Sequence, residues 1–183
     1  MRKITFFLVL MVAMVTTAWA QFDTTKQYRI KSVTIGNYLT IGTASDNAYG
    51  HVYGADKDDN NQEQIFTFID AGSSKYYVMS ATGKYFSENG KGKGWNLNYA
   101  TSQSEALALT FVDAGNGQYR IQSYNSTKSQ NLYFKYEYVT SYESNSTGIN
   151  LYHPFTDVQS SSNAELWVVE EFVSVVAPAA NTS

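Results

Sequence analysis

The stretch Phe66-Thr-Phe-Ile-Asp-Ala-Gly72 decides the fold, because it recurs almost unchanged as Leu109-Thr-Phe-Val-Asp-Ala-Gly115. A third, weaker copy is Trp167-Val-Val169 followed by Glu170-Glu-Phe172. Upstream of each copy lie a tyrosine-led strand and a tyrosine-led pair: Tyr28-Arg-Ile-Lys-Ser32 with Tyr38-Leu39, Tyr77-Val-Met-Ser80 with Tyr85-Phe86, and Tyr119-Arg-Ile-Gln-Ser123 with Tyr133-Phe134. Self-similarity at a period of roughly 40 to 55 residues indicates a repeat architecture. We predict one domain of three repeats, about 27–72, 75–115 and 117–172, related by approximate threefold symmetry.

The repeats have the pattern of β-strands. Apolar residues alternate with polar ones at period 2, and Gly, Asn, Asp and Ser separate the runs. The predicted strands are Tyr28–Val33, Tyr38–Ile41, His51–Tyr53, Ile65–Ile69, Tyr77–Ser80, Tyr85–Phe86, Trp95–Asn98, Ala108–Val112, Tyr119–Ser123, Leu132–Tyr136, Ile149–Tyr152 and Leu166–Val169. Twelve short strands in three equivalent groups predict an all-β chain with the β-trefoil fold, a six-stranded barrel capped by three hairpins. A β-sandwich with accidental internal similarity is the alternative.

The N-terminal 20 residues have the pattern of a secretory signal peptide. A basic start precedes the apolar run Ile4–Thr16, and Ala18-Trp-Ala20 matches a small-residue cleavage site. The apolar run is shorter than the ~20 residues that a membrane-spanning helix needs. We therefore expect a soluble domain over residues 22–173, a flexible tail over 174–183, and a secreted or periplasmic location.

Composition narrows the classes of function. Removing residues 1–20 removes two basic residues and no acids, which leaves 11 basic against 16 acidic residues and a net charge of −5. A surface of that sign argues against a nucleic acid partner, because phosphate binding requires clustered Lys and Arg. The chain has no cysteine, so an exported domain must rely on core burial, to which 15 Tyr, 10 Phe and 3 Trp are suited.

Catalysis and metal binding find little support in the sequence. There are two histidines and no cysteine, and neither a G-x-S-x-G nor an H-E-x-x-H motif occurs. The acidic run from Asp56 to Asn61 lacks the glycine and the terminal glutamate of a calcium loop. We expect no enzyme activity, no metal site and no cofactor.

The chain resembles the ricin-type β-trefoil lectins, of a bacterial secreted type, over about residues 27–172. That family carries a Gln-x-Trp signature near the end of each repeat. The matching triplets here are Gln64-Ile-Phe66, Leu107-Ala-Leu109 and Glu165-Leu-Trp167, so one keeps the Gln and another the Trp. The resemblance implies a lectin-like, glycan-binding trefoil without catalytic activity. Trp167 itself is predicted to lie in the core.

The resemblance also implies where sugars would bind. The family's sugar-clamping aspartate falls on Thr40, Ser87 and Lys135, none of which is acidic, and its stacking aromatic falls on Tyr53, Asn98 and Tyr152. Aromatic rings can stack on the C–H face of a pyranose while neutral polar side chains hold its hydroxyls. The predicted carbohydrate-binding residues are His51, Tyr53, Trp95, Asn96, Asn150 and Tyr152.

Two other functions remain open from the sequence. A protein-binding trefoil, such as a secreted protease inhibitor, would use the Ser/Asn/Tyr-rich loop Glu137–Gly148 as its binding element. An adhesive surface protein with decayed sugar sites is the third possibility. Sugar binding that depends on Tyr53 would distinguish the lectin-like function from these two alternatives.

Overall fold

The protein folds into twelve strands within the part of the chain that the structure describes. This computed structural model describes residues 21–41, 52–88, 95–125, 129–137, 153–157 and 166–174. The strands are β1 (Gln27–Ser32), β2 (Tyr38–Ile41), β3 (Val52–Ala55), β4 (Phe66–Gly72), β5 (Lys75–Ser80), β6 (Tyr85–Glu88), β7 (Trp95–Ala100), β8 (Leu109–Gly115), β9 (Gln118–Asn125), β10 (Gln130–Glu137), β11 (His153–Asp157) and β12 (Leu166–Phe172). Two single 3₁₀ turns, Gln62–Gln64 and Gln103–Glu105, precede β4 and β8.

Six of the strands form a closed antiparallel barrel. Each neighbouring pair is hydrogen-bonded in the cyclic order β1, β4, β5, β8, β9, β12 and back to β1. The other six form three hairpins, β2–β3, β6–β7 and β10–β11, whose second strands contact one another. This arrangement confirms the predicted β-trefoil of three repeats.

The strand registers repeat with threefold symmetry. Tyr28 pairs with Phe66, Tyr76 with Leu109, and Tyr119 with Trp167. The sequence pattern suggested that Tyr77 leads the first strand of the second repeat. The register shows that Tyr76 leads it instead. Tyr76 is buried and Tyr77 is only partly buried. The tyrosine that faces the barrel interior is the one in register with Tyr28 and Tyr119.

The recurrent Asp-Ala-Gly makes two of the barrel turns. The carboxylate of Asp70 accepts a hydrogen bond from the Gly72 N–H at 2.8 Å, and Asp113 does the same for Gly115 at 2.8 Å. Both glycines have positive φ, +78° and +83°, a conformation that disfavours residues with a Cβ. Each strand register shifts at the same point. Asp-Ala-Gly therefore ends β4 and β8 with a bulged turn into the next strand.

The core is built from equivalent apolar layers. The aromatic and aliphatic residues at the Gln-x-Trp position and at the centres of the first and second strands are fully or almost fully buried: Phe66, Leu109 and Trp167; Ile30, Val78 and Ile121; Leu39, Phe86 and Phe134. The Trp167 indole donates a hydrogen bond to the Phe134 carbonyl at 3.1 Å. The predicted core position of Trp167 is confirmed.

Phe22 closes the barrel interior at the ring of equivalent tyrosines. Its ring lies 5.7, 5.6 and 5.4 Å from those of Tyr28, Tyr76 and Tyr119, centroid to centroid. It is 6% exposed, and its N–H donates to the Tyr76 hydroxyl at 3.3 Å. The N-terminal segment before β1 thus supplies one side chain that contacts all three repeats.

The third repeat differs from the predicted strand positions. The strand paired with β10 is β11 at His153–Asp157, whereas the sequence pattern placed it at Ile149–Tyr152. Residues 149–152 lie outside the described residues, as do the predicted signal peptide, the loop 138–148 and residues 175–183 of the predicted tail. The Ser/Asn/Tyr-rich run before β11 gave no strong alternation from which the strand could be located.

Candidate functional site

Strand register defines one equivalent position in each hairpin. Tyr53 on β3 lies opposite Thr40, and Asn98 on β7 lies opposite Ser87. In the third repeat the residue opposite Lys135 is Phe155. Phe155 is therefore the residue that matches Tyr53 and Asn98 in register, whereas Tyr152, to which the stacking position was assigned, lies outside the described residues.

The other predicted site residues are placed only in part. His51, Asn150 and Tyr152 lie outside the described residues. Trp95 and Asn96 begin β7 and pair with Thr156 and Phe155 of β11. The structure thus brings Asn96 beside the third-repeat position, across the boundary between two hairpins.

Thr40 occupies the clamp position of the first repeat and is inaccessible to ligands. It is fully buried, and its hydroxyl donates to the Tyr38 carbonyl at 3.2 Å. The same oxygen accepts a hydrogen bond from the Gln64 amide at 3.2 Å. Any sugar in this repeat must be held by other side chains.

Gln64, the retained Gln of the family signature, fastens the loop after β3. Its side chain is fully buried, donates to the Asp56 carbonyl at 2.8 Å, and accepts from the Asp58 N–H at 3.0 Å. Buried amides need such partners, because an unsatisfied polar group in the interior is costly. Gln64 therefore fastens the loop after β3 to the turn Gln62–Gln64, which contains Glu63.

Tyr53 lies beside a sheltered ion pair between the first and second repeats. The Lys84 ammonium and the Glu63 carboxylate are 2.6 Å apart, and their side chains are 19% and 22% exposed. Burial raises the pKa of the Tyr53 phenol; the nearby Glu63 carboxylate adds to this rise and Lys84 opposes it. Lys84 also lies 5.0 Å from the centroid of the Tyr99 ring.

We call Tyr53, Glu63, Lys84 and Tyr99 the hairpin cluster. It combines a partly exposed tyrosine, a hydrogen-bond acceptor and a cationic donor, linked by the ion pair, the Lys84–Tyr99 contact and the effect of both charges on the Tyr53 phenol. The sequence analysis missed Glu63, Lys84 and Tyr99, because they come from different strands and turns and no local motif links them. The Gly83-Lys84 dipeptide predicts a turn and gives no sign that Lys84 forms an ion pair.

In the described segments, no group of three or more His, Asp or Glu side chains could hold a metal ion. Within the same residues, no helix is long and apolar enough to cross a bilayer.

Comparison with known proteins finds similarity of structure alone. No family model matches the sequence, and no curated protein matches it. A ricin B-like lectin from Macrolepiota procera, solved with lactose, is similar at 16% identity over 82% of this chain and 98% of its own, with a TM-score of 0.60. A mutant earthworm lectin C-terminal domain, solved with 6'-sialyllactose, is similar at 15% identity over 80% and 99%, with a TM-score of 0.53.

An enzyme also contains a similar domain. An exo-β-1,3-galactanase from Clostridium thermocellum matches at 17% identity over 81% of this chain and 30% of its own, with a TM-score of 0.54. At these identities the likeness concerns the fold. The chain therefore has the β-trefoil fold that ricin B-like lectins share.

Proposed function

We propose that this protein is an exported, non-catalytic carbohydrate-binding trefoil that binds glycans weakly through shallow aromatic sites on its hairpins. The observation that carries the proposal is the hairpin cluster, where the partly exposed Tyr53 ring lies beside the Glu63–Lys84 pair. The similar lectins solved with lactose and sialyllactose support the same class of ligand.

The cluster has the chemistry that a pyranose needs. The apolar C–H face of the sugar would stack on the Tyr53 ring. Ring hydroxyls would donate to Oε1 of Glu63, since Oε2 is buried, and would accept from the Lys84 ammonium. The short distance between these two groups and their partial burial fix their positions before a ligand arrives, which lowers the entropy lost on binding.

The other two repeats would contribute weaker subsites. Asn98 replaces the aromatic residue in the second repeat, whereas Phe155 retains one in the third and has Asn96 as its neighbour. Trp95 begins β7, the strand that contains Asn96. His51, Trp95, Asn150 and Tyr152 stay candidate ligand contacts. Shallow sites that engage one branched glycan together gain affinity through effective concentration.

Export and lack of catalysis belong to the proposal as well. The signal-peptide pattern of residues 1–20 supports a secreted or periplasmic protein. The lack of recognised catalytic motifs supports a binding role, in which the trefoil of the galactanase would be the comparable part. We propose glycans or polysaccharide as partners, and neither nucleic acid nor membrane.

Calorimetric titration with a panel of mono- and disaccharides tests the proposal. Tyr53→Ala should weaken binding of the best ligand about tenfold, the loss of roughly 1.4 kcal/mol that one stacking ring supplies. Tyr124→Ala is the matched control, because Tyr124 is a 57% exposed tyrosine on the barrel strand β9. Equal affinity of both variants and the wild type would contradict the assigned site.

The protein-binding alternative can be tested in parallel. Its predicted element, loop 137–148, lies outside the described residues except for Glu137 at the end of β10. Inhibition of a protease panel that is lost on deleting residues 138–147, together with no sugar binding, would favour that function over the lectin.

A further inference from the structure

A polar cavity lies where the threefold symmetry of the barrel is broken. We call it the seam pocket; it has a volume of about 760 Å³ and is bounded by β1, the segment 57–62 and residues 170–174. β4 joins β5, and β8 joins β9, through tight bulged turns. β12 and β1 come from opposite ends of the sequence, so no such turn fills the equivalent space beside them.

Among the residues of the seam pocket, Glu170 has no acidic counterpart in the other repeats, whereas Arg29 corresponds to Arg120. Glu170 pairs with Arg29 across the seam. The equivalent positions to Glu170 are Ile69 and Val112, which pair with Tyr77 and Arg120. The Glu170 carboxylate is therefore specific to the seam and is not repeated in the other two thirds of the barrel.

Arg29 forms a rigid, buried wall of the pocket. Arg29 lies between the interior residues Tyr28 and Ile30 on β1, so its side chain belongs to the opposite, outer face of the strand. That side chain is nevertheless only 3% exposed. The guanidinium donates to Asp59 at 2.6 Å and to the Asp58 carbonyl at 3.0 Å, and it lies 4.7 Å from the centroid of the Phe172 ring. Its Nε is buried and has no hydrogen-bond partner among the described residues.

The charges at and beside the seam pocket sum to zero, with Arg29, Lys57 and Lys26 against Asp59, Glu170 and Glu171. Asp59 contacts Arg29 and also Lys57 at 3.3 Å, and these hydrogen bonds lower the pKa of its carboxyl. Glu171 contacts Lys26 at 2.8 Å. Such a wall favours neither a strongly anionic nor a strongly cationic ligand.

The remaining polar groups suit a ligand with many hydroxyls. The amides of Gln27, Asn60 and Gln62 line the pocket, and each can donate and accept. Glu170 accepts a hydrogen bond from the Tyr38 hydroxyl at 2.9 Å, which fixes the orientation of its carboxylate. The volume falls within the range of roughly 300 to 1,000 Å³ typical of small-ligand sites.

We propose that the seam pocket is a second saccharide site, which binds a neutral, hydroxyl-rich sugar unit through amide and carboxylate hydrogen bonds. It rests on the proposed carbohydrate-binding function and adds a subsite between repeats, separate from the hairpin cluster. Binding at the seam depends on hydrogen bonds, whereas binding at the hairpin cluster depends on stacking against Tyr53.

Backbone amide chemical shifts in ¹⁵N-labelled protein distinguish the two sites. The probes are D-galactose, D-glucose, D-mannose, N-acetylglucosamine and lactose, each titrated to saturation or to its solubility limit. The seam variant is Asn60→Ala combined with Gln62→Ala; both side chains are exposed, so the fold should persist. The hairpin variant is Tyr53→Ala.

The expected result is saturable shifts at residues 27, 60, 62 and 171 with at least one probe. The seam variant should raise the dissociation constant for these shifts about tenfold, the loss of one to two hydrogen bonds. Tyr53→Ala should leave them unchanged. Shifts confined to the hairpin cluster would overturn the seam site and leave the proposed function standing. No saturable shift anywhere, with any of the five probes, would overturn both.

Discussion

Replacing Phe22 with alanine should destabilise the protein more than any change of comparable size on its surface. Phe22 precedes the first strand, yet its ring lies inside the barrel against five other rings. Three of these belong to equivalent tyrosines, one from each repeat. Removing the ring therefore leaves a space that no single repeat can close by a local shift.

The magnitude follows from burial and ring contacts. Phe22 is 6% exposed, and its centroid is 4.6 Å from that of Phe68 and 5.0 Å from that of Phe111. Buried Phe→Ala changes cost about 3–5 kcal/mol, with the upper part of the range where the site cannot collapse. We expect about 4 kcal/mol, which corresponds to a fall in Tm of roughly 8–16 °C for a domain of this size.

Urea denaturation of the chain beginning at Gln21 measures this loss. Circular dichroism and tyrosine fluorescence should report one transition, with a lower midpoint and an unchanged slope in the variant. Tyr124→Ala should change the unfolding free energy by no more than about 0.5 kcal/mol, because Tyr124 is exposed. A loss below about 1 kcal/mol for Phe22→Ala would show that the segment before β1 is frayed and does not close the barrel.

Three further predictions concern the loop, the turns and pH. Gln64→Ala removes one buried and two partly buried hydrogen bonds and should lower the unfolding free energy measured in urea by about 2–4 kcal/mol, since it leaves the Asp58 N–H and the Asp56 carbonyl without their Gln64 partner. Asp113→Ala should lower the unfolding free energy by about 1 kcal/mol, because it removes the hydrogen bond from the Gly115 N–H, and Asp70→Ala should lower it by a similar amount. Unequal losses in urea unfolding would contradict the equivalence of the two turns. Burial and the hydrogen bond to Glu170 raise the pKa of Tyr38 to about 12. The folded state therefore retains the Tyr38 proton to a higher pH than the unfolded state does. The contribution of Tyr38 to the unfolding free energy is complete below pH ~10 and is lost between pH ~10 and 12. Tyr38→Phe should flatten the fall in unfolding free energy over that interval, and an unchanged slope would rule the mechanism out.

The architecture could be predicted from the sequence because its turns and strands are specified by short motifs within each repeat. Asp-Ala-Gly fixes two turns, and period-2 aromatic residues mark the strands that pair in register. Adjacent tyrosines defeated the same reasoning at Tyr76 and Tyr77, since either could lead the strand. Only the pairing of Phe66 with Ser80 and Tyr76 with Leu109 decides which of the two faces inward.

The candidate site was less accessible to sequence reasoning. The strands that carry Tyr53 and Thr40 were predicted, because they form one hairpin with a clear pattern. Glu63 and Lys84 meet only when two repeats pack together, and Arg29 becomes buried only because the loop after β3 crosses it. The position of β11, and with it the register of Phe155, was not predicted because the run before this strand lacks the apolar alternation that locates a strand.

A crystal structure with the tightest-binding saccharide of the calorimetric panel tests the central claim most directly. The account predicts a pyranose whose C–H face lies within about 4 Å of the Tyr53 ring, with hydroxyls hydrogen-bonded to Glu63 and Lys84. A saccharide bound elsewhere, with the Tyr53 ring uncovered at full occupancy, would contradict it.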